Sequence, residues 1–190
     1  SGMAIAGNVI YKAKGVESAI IPKNITVVAD EAFWNCFQLK EVVFPEGFKT
    51  IGARGFSNCS FKSVVLPNSV TSVGEAAFEA CMKLEEIVLS ENMTSIEPDT
   101  FKKCRALKSI KLPKSIVSIG TYAFYEAIKL EEVILASKTK TIGDFAFGKC
   151  SMLAKVDLGK SLIEIGQAAF HDCSKLETIT LPKTLKTIKL

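Results

Sequence analysis

The chain is predicted to be a solenoid, a mainly β stack of similar coils, on three observations. A phenylalanine returns at Phe33, Phe56, Phe78, Phe101, Phe124, Phe147 and Phe170, at steps of 23, 22, 23, 23, 23 and 23 residues. It sits in a recurring skeleton, Ala-Phe-x-x-Cys-x-x-Leu-x-x-Ile-x-Leu, complete at Ala77 to Leu89. All six cysteines (Cys36, Cys59, Cys81, Cys104, Cys150 and Cys173) fall on one position of that skeleton, and Ala127 takes the seventh place. A fixed period of this size marks units that bury their apolar face only by stacking on their neighbours.

The chain divides into residues 1–7, a cloning remnant and leader; 8–22, a hairpin-like cap; and 23–190, seven units plus a truncated repeat in one continuous domain. In the cap, Asn8 to Tyr11 and Ser18 to Ile21 are β-prone runs separated by the turn signal Lys14-Gly15. Each unit then carries a main strand: Val42 to Phe44, Val64 to Leu66, Ile87 to Leu89, Ile110 to Leu112, Val133 to Leu135, Val156 to Leu158 and Ile179 to Leu181. Strand side chains alternate, so the outer two residues of each triplet point inward and the middle one outward. Proline ends several of these strands, at Pro22, Pro45, Pro67, Pro113 and Pro182. A second apolar pair follows, such as Val70/Val73 and Ile116/Ile119, often closed by a glycine, and reads as a short extended segment ending in a turn. The Ala-Phe-x-x-Cys segment is too short for an independent helix and is expected to form one helical or 3₁₀ turn with Phe plugging the core. The second unit lacks one residue, and Phe61 replaces the usual leucine, filling the lost contact. The last unit stops at Leu190 partway through a repeat, which implies either a longer array or an end covered by a partner.

The bulk numbers exclude several classes. Hydrophobic content of 48% argues against disorder. The net charge of +4 is mild and scattered, without the one-sided basic patch of a nucleic-acid binder. No apolar run reaches the length of a membrane span, so no membrane insertion is expected in this segment. No phosphate-cradling glycine loop is present, and no cofactor is expected.

The cysteine column admits three readings. Zinc ligation fails, because a single-file column cannot close a tetrahedral cage and no CxxC spacing occurs. Disulfides 36–59, 81–104 and 150–173 would use all six. They would also pinch coils spaced roughly 4.8 Å apart toward a Cβ separation of about 3.8 Å. Small buried thiols fit best, since Ala127 matches cysteine in size and not in chemistry. His171 is the only histidine, in an outward slot otherwise filled by Trp34, Ser57, Glu79, Lys102, Tyr125 and Gly148. With no second histidine or paired nucleophile it reads as a solvated side chain, and no catalytic residue is expected.

Ala32-Phe33-Trp34-Asn35-Cys36, Leu112-Pro113-Lys114-Ser115-Ile116-Val117-Ser118-Ile119-Gly120 and their repeats resemble the BspA-like class of leucine-rich repeats. The likeness runs from about Asn8 to the end; Ala127, Gly55, Thr100 and the deletion near Phe61 depart from the pattern. It implies a leucine-rich repeat solenoid, a right-handed superhelix with a parallel sheet on its concave face. It also implies a microbial cell-surface or secreted adhesin that binds host or matrix proteins, and it carries over no catalytic residue.

A protein partner is therefore expected on the strand face. The outward column runs Ile20, Val43, Val65, Val88, Lys111, Ile134, Asp157 and Thr180, beside a column that includes Glu41, Glu86 and Glu132. The candidate docking residues are Ile20, Glu41, Val43, Val65, Glu86, Val88, Lys111, Glu132 and Ile134. An apolar patch rimmed by charge marks an interaction site, although valine and isoleucine also favour exposed strands for their own sake. A monomer or a weak end-to-end oligomer is expected. The alternative is an intracellular scaffold or regulator on the same solenoid, which free thiols would suit.

Overall fold

The structure, a computed structural model, describes residues 2–190. It is a parallel β-solenoid of about 7 turns, with three kinds of ladder running along its axis. One side carries the three-residue strands: Ser18–Ile20 with Glu41–Val43, Ser63–Val65 with Glu86–Val88, and Glu132–Ile134 with Lys155–Asp157. A second side carries two-residue strands in two five-stranded sheets, one of which begins with the longer, antiparallel strands Gly2–Ala6 and Val9–Lys14. The third side consists of turns.

The core fills as the alternation requires. Val64, Leu66, Ile87, Leu89, Val133 and Leu135 are buried, while Val65, Val88 and Ile134 between them are exposed. The seven phenylalanines form one continuous stack, Phe33 to Phe170, with neighbouring ring centroids 4.8–5.8 Å apart. Six of the seven are wholly buried; Phe170, in the last complete coil, is half-buried. Phe61 is also buried and meets Phe56 edge-on at 5.7 Å, filling the space left by the deletion. At that deletion the strand pairing lapses, and Glu41–Val43 is not paired with Ser63–Val65.

The expected helical turns are absent; no helix is found among the described residues. The turn side is a ladder instead. Two residues per coil, two before and two after each core phenylalanine, adopt left-handed φ of 50–61°: Glu31 and Asn35 in the first coil, through to Ala168 and Asp172 in the last. This alternation points successive N–H groups in different directions. Glu31, Phe33 and Asn35 donate across to Ala53, Gly55 and Ser57 of the next coil, while Ala32, Trp34 and Cys36 donate back to the residue three before them. A helix would direct every N–H along its own axis and leave the neighbouring coil unpaired. Each left-handed L-residue costs roughly 1–2 kcal/mol. The cross-coil bonds satisfy backbone groups that would otherwise be buried unpaired.

The N-terminal boundaries also need correction. The hairpin is formed by Gly2–Ala6 and Val9–Lys14 around Gly7-Asn8, where Gly7 takes φ 58°. The leader thus supplies the first strand, and Ser18–Ile20 belongs to the solenoid's strand face. The second hairpin strand pairs in parallel with Val27–Val28, and Ala13 N–H donates to Ala32 O, so the hairpin covers the first coil's edge. Ser1 lies outside the described residues.

The glycines of the second ladder serve close approach. A Cβ at Gly52, Gly74, Gly120, Gly143 or Gly166 would lie within 2.7 Å of the preceding coil's backbone. None of these five has a positive φ. Glu97 occupies the same position in the fourth coil, and there the second side breaks into its two sheets, between Ser72–Val73 and Ser95–Ile96.

Candidate interaction surface

The nine candidate residues share the strand face. Ile20 is 71% exposed, Val43 47%, Val65 62%, Val88 56% and Ile134 52%. Ile20 pairs with Val43 and Val65 with Val88, so the four β-branched side chains lie as two pairs along the first four coils, with a cleft between Val43 and Val65. Lys111 interrupts the row before Ile134, and Asp157 follows. Glu41 and Glu86 are exposed at the rim. Glu132 is half-buried and ion-paired with Lys155, while Lys108 pairs with Glu85 at 3.0 Å. The pairing holds the Glu85 carboxyl below and the Lys108 ammonium above their usual values, chiefly through the hydrogen bond between them.

Two features escaped the sequence. The first is a set of clefts beside the strand face. One of about 420 Å³ lies against Ile20, Val43, Phe44 and Pro45, and another of about 450 Å³ lies against Ile110, Leu112, Ile134, Leu135 and Ala136. The signal for that second cleft was Ala136-Ser137, at positions that elsewhere read Pro-Lys, Pro-Glu, Pro-Asn, Ser-Glu or Gly-Lys. The second feature is an aromatic row on the turn side. Tyr122 stacks on Phe145 at 5.1 Å, and Lys102 and Lys149 sit over the Tyr122 and Tyr125 rings at 5.2 and 5.4 Å. A cleft of about 430 Å³ beside Asp30, Glu31, Arg54 and Glu75 is charged, and the Asp30 carboxylate already accepts from Ala53 N–H.

The cysteine column is a set of free, buried thiols. Each Sγ donates to a carbonyl of the coil before it: Cys59 to Phe33, Cys81 to Phe56, Cys104 to Phe78, Cys150 to Phe124 and Cys173 to Phe147, at 3.1–3.4 Å, and Cys36 to Ala13 at 3.5 Å. Cysteine is thus used as a small apolar side chain that also satisfies a buried acceptor. His171 is exposed, with its Nε2 3.2 Å from Asp172. Among the described residues no group of three His, Cys, Asp or Glu side chains could hold a metal. No helix among them is long and apolar enough to cross a membrane.

The family model described as BspA type leucine rich repeat region (6 copies) matches residues 4–116 and 94–190. The chain belongs to the BspA-type leucine-rich repeat family. As a BspA-type repeat it carries a fold used as a protein-interaction scaffold. Solved structures agree in fold. The pneumococcal vaccine antigen PcpA aligns at 24% identity and TM-score 0.62 over 89% of this chain and 51% of its own. A leucine-rich repeat protein of T. pallidum aligns at 22% identity and TM-score 0.56 over 88% and 82%. The chain thus spans about half the length of PcpA. A comparison with curated proteins finds no match.

Proposed function

We propose that this BspA-type chain is a non-enzymatic protein-binding module of a microbial cell-surface or secreted adhesin, docking a host or matrix protein on its strand face. The observation that carries the reading is the row Ile20, Val43, Val65 and Val88. These are four apolar side chains in two adjacent pairs, Ile20 with Val43 and Val65 with Val88, each roughly half exposed or more, rimmed by Glu41 and Glu86. Contiguous apolar surface with a polar rim is the usual anatomy of a docking site. The strands beneath it are hydrogen-bonded in pairs, which preorganises the surface and lowers the ordering entropy that opposes binding. The similarity to a vaccine antigen is in keeping with a surface location. The module acts as a monomer or weak end-to-end oligomer.

The test pairs Val65→Asp with Val88→Asp. Both side chains point to solvent, so the doubly substituted chain is expected to keep its thermal melt and lose binding to immobilised extracellular-matrix proteins in surface plasmon resonance. Retained binding refutes the assignment of this face. The six free thiols favour a second reading, an intracellular scaffold. A secretion signal or wall anchor in the parent reading frame decides for the first, and a parent frame without either decides for the second.

A further inference from the structure

The cleft between the fifth and sixth coils combines three features. First, strand pairing fails there, as it also does between the second and third and between the fourth and fifth coils. Ser109 makes a single bridge to Glu132, and Lys111 and Leu112 pair with neither neighbour, although Glu132–Ile134 pairs fully with Lys155–Asp157. Main-chain groups of Lys111 and Leu112 therefore line the cleft without a strand partner. Second, Ala136 and Ser137 stand where most other coils carry a proline and a longer side chain, and the opening measures about 450 Å³, close to the about 420 Å³ of the cleft beside Pro45. That lies within the roughly 300–1,000 Å³ of specific binding sites. Its walls, Ile110, Leu112, Ile134, Leu135 and Ala136, are apolar. Third, its charge is one-sided. Glu132 is neutralised by Lys155, whereas Lys111 and Lys114 belong to no ion pair among the described residues.

We propose that this cleft is the anchor subsite of the docking face, taking one bulky apolar side chain from an acidic, extended segment of a partner protein. The apolar walls receive the side chain. Lys111 and Lys114 attract the flanking carboxylates, and the free main-chain groups of Lys111 and Leu112 hydrogen-bond the segment's backbone. Binding energy at interfaces concentrates in such pockets, where a large side chain is fully desolvated. The charges choose the partner and speed the encounter. The inference rests on the protein-docking reading and adds the partner's chemistry.

The experiment titrates the whole chain, ¹⁵N-labelled, with two acetylated pentapeptides: tryptophan flanked by four aspartates, and tryptophan flanked by four lysines. The acidic peptide is expected to shift the amides of Lys111, Leu112, Ala136 and Ser137 and to bind at least ten times more tightly than the basic one. Lys111→Glu with Lys114→Glu, both at exposed positions, is expected to reverse that preference without altering the fold. Ala136→Leu fills the cleft and is expected to abolish the shifts. If Ala136→Leu also disturbs folding, the charge-reversed chain alone carries the decision. Equal binding of both peptides, shifts confined to other surfaces, or an unreversed preference overturns the proposal. Such a failure leaves the apolar row untouched, because the Val65 and Val88 substitutions test that row with a different ligand.

Discussion

Replacing Gly143 by alanine is expected to push apart a pair of coils that no surface contact reveals to be so close. The new Cβ would lie 2.5 Å from Thr121 N and 2.6 Å from Gly120 C. Both are backbone atoms, so no rotamer change relieves the overlap. Overpacking of this kind costs roughly 1–3 kcal/mol. The coils that separate also strain the bonds from Gly143 N–H to Ile119 O, 2.8 Å, and from Lys140 N–H to Val117 O, 2.7 Å. Each contributes about 0.5–1.5 kcal/mol net, so the total is about 2–6 kcal/mol. A domain of this size loses about 2–4 °C of Tm per kcal/mol, and the expected fall is therefore about 10 °C.

The molecule contains the comparison that makes this argument checkable. Gly52, Gly74, Gly120, Gly143 and Gly166 each donate their N–H to the preceding coil at 2.7–2.8 Å. Of the other residues at this place, Ala29 donates to the hairpin at 2.8 Å and Lys189 to the preceding coil at 2.9 Å, whereas Glu97 makes no such bond among the described residues, and the ladder breaks there. The assay is a thermal melt followed by circular dichroism, with hydrogen exchange of the amides at 118–119 and 141–143. Gly143→Ala is expected to lower Tm and strip protection from those amides. Glu97→Gly is expected to confer protection on the amide at its own position. A Tm change under about 2 °C with unchanged exchange in Gly143→Ala refutes the reasoning, because even a penalty of about 2 kcal/mol cannot hide in that interval.

Two further outcomes follow from the cysteine column. Ala127 leaves Phe101 O with a backbone donor only, from Cys104 N–H, so Ala127→Cys adds the missing S–H donor in a slot shaped for it. It is expected to stabilise by about 0.5–1 kcal/mol, raising the urea midpoint at unchanged slope; a lowered midpoint counts against the slot being cysteine-shaped. Burial pushes every thiol above its ordinary value of 9.0, Cys81 to about 12 and Cys173 to about 11. Between pH 9 and those values the folded chain holds protons that the unfolded chain releases, so stability is full below pH 9 and falls as pH rises from 9 toward 12. Urea midpoints measured from about pH 7 to 11 check this, and a flat profile above pH 9 refutes it.

What the sequence made legible depends on whether side-chain type or backbone geometry carries the information. The phenylalanine stack and the strand face were readable because burial needs a particular side chain at each place: Phe33 through Phe170 inside, Val65 and Val88 outside. The same logic placed Ile20 and Val43 outside as well. The turn ladder was not readable, because its left-handed positions hold Glu31, Arg54, Ala76, Asp99, Tyr122, Phe145 and Ala168, with no glycine to mark them. There the cross-coil hydrogen bonds fix the backbone, and almost any outward side chain rides on it at a strain cost. The Gly52 to Gly166 column was visible but suggested a turn, when its reason is contact between backbones. Gly7-Asn8 did carry a hairpin signal in its residue types, which the expected boundary at Asn8 passed over. The cleft at Ala136 lies between these cases. It exists because neighbouring coils lack strand pairing and because one of them has small residues where the pattern places bulk. A repeat advertises what recurs, so the place where a partner can be told from any other is found where the recurrence fails.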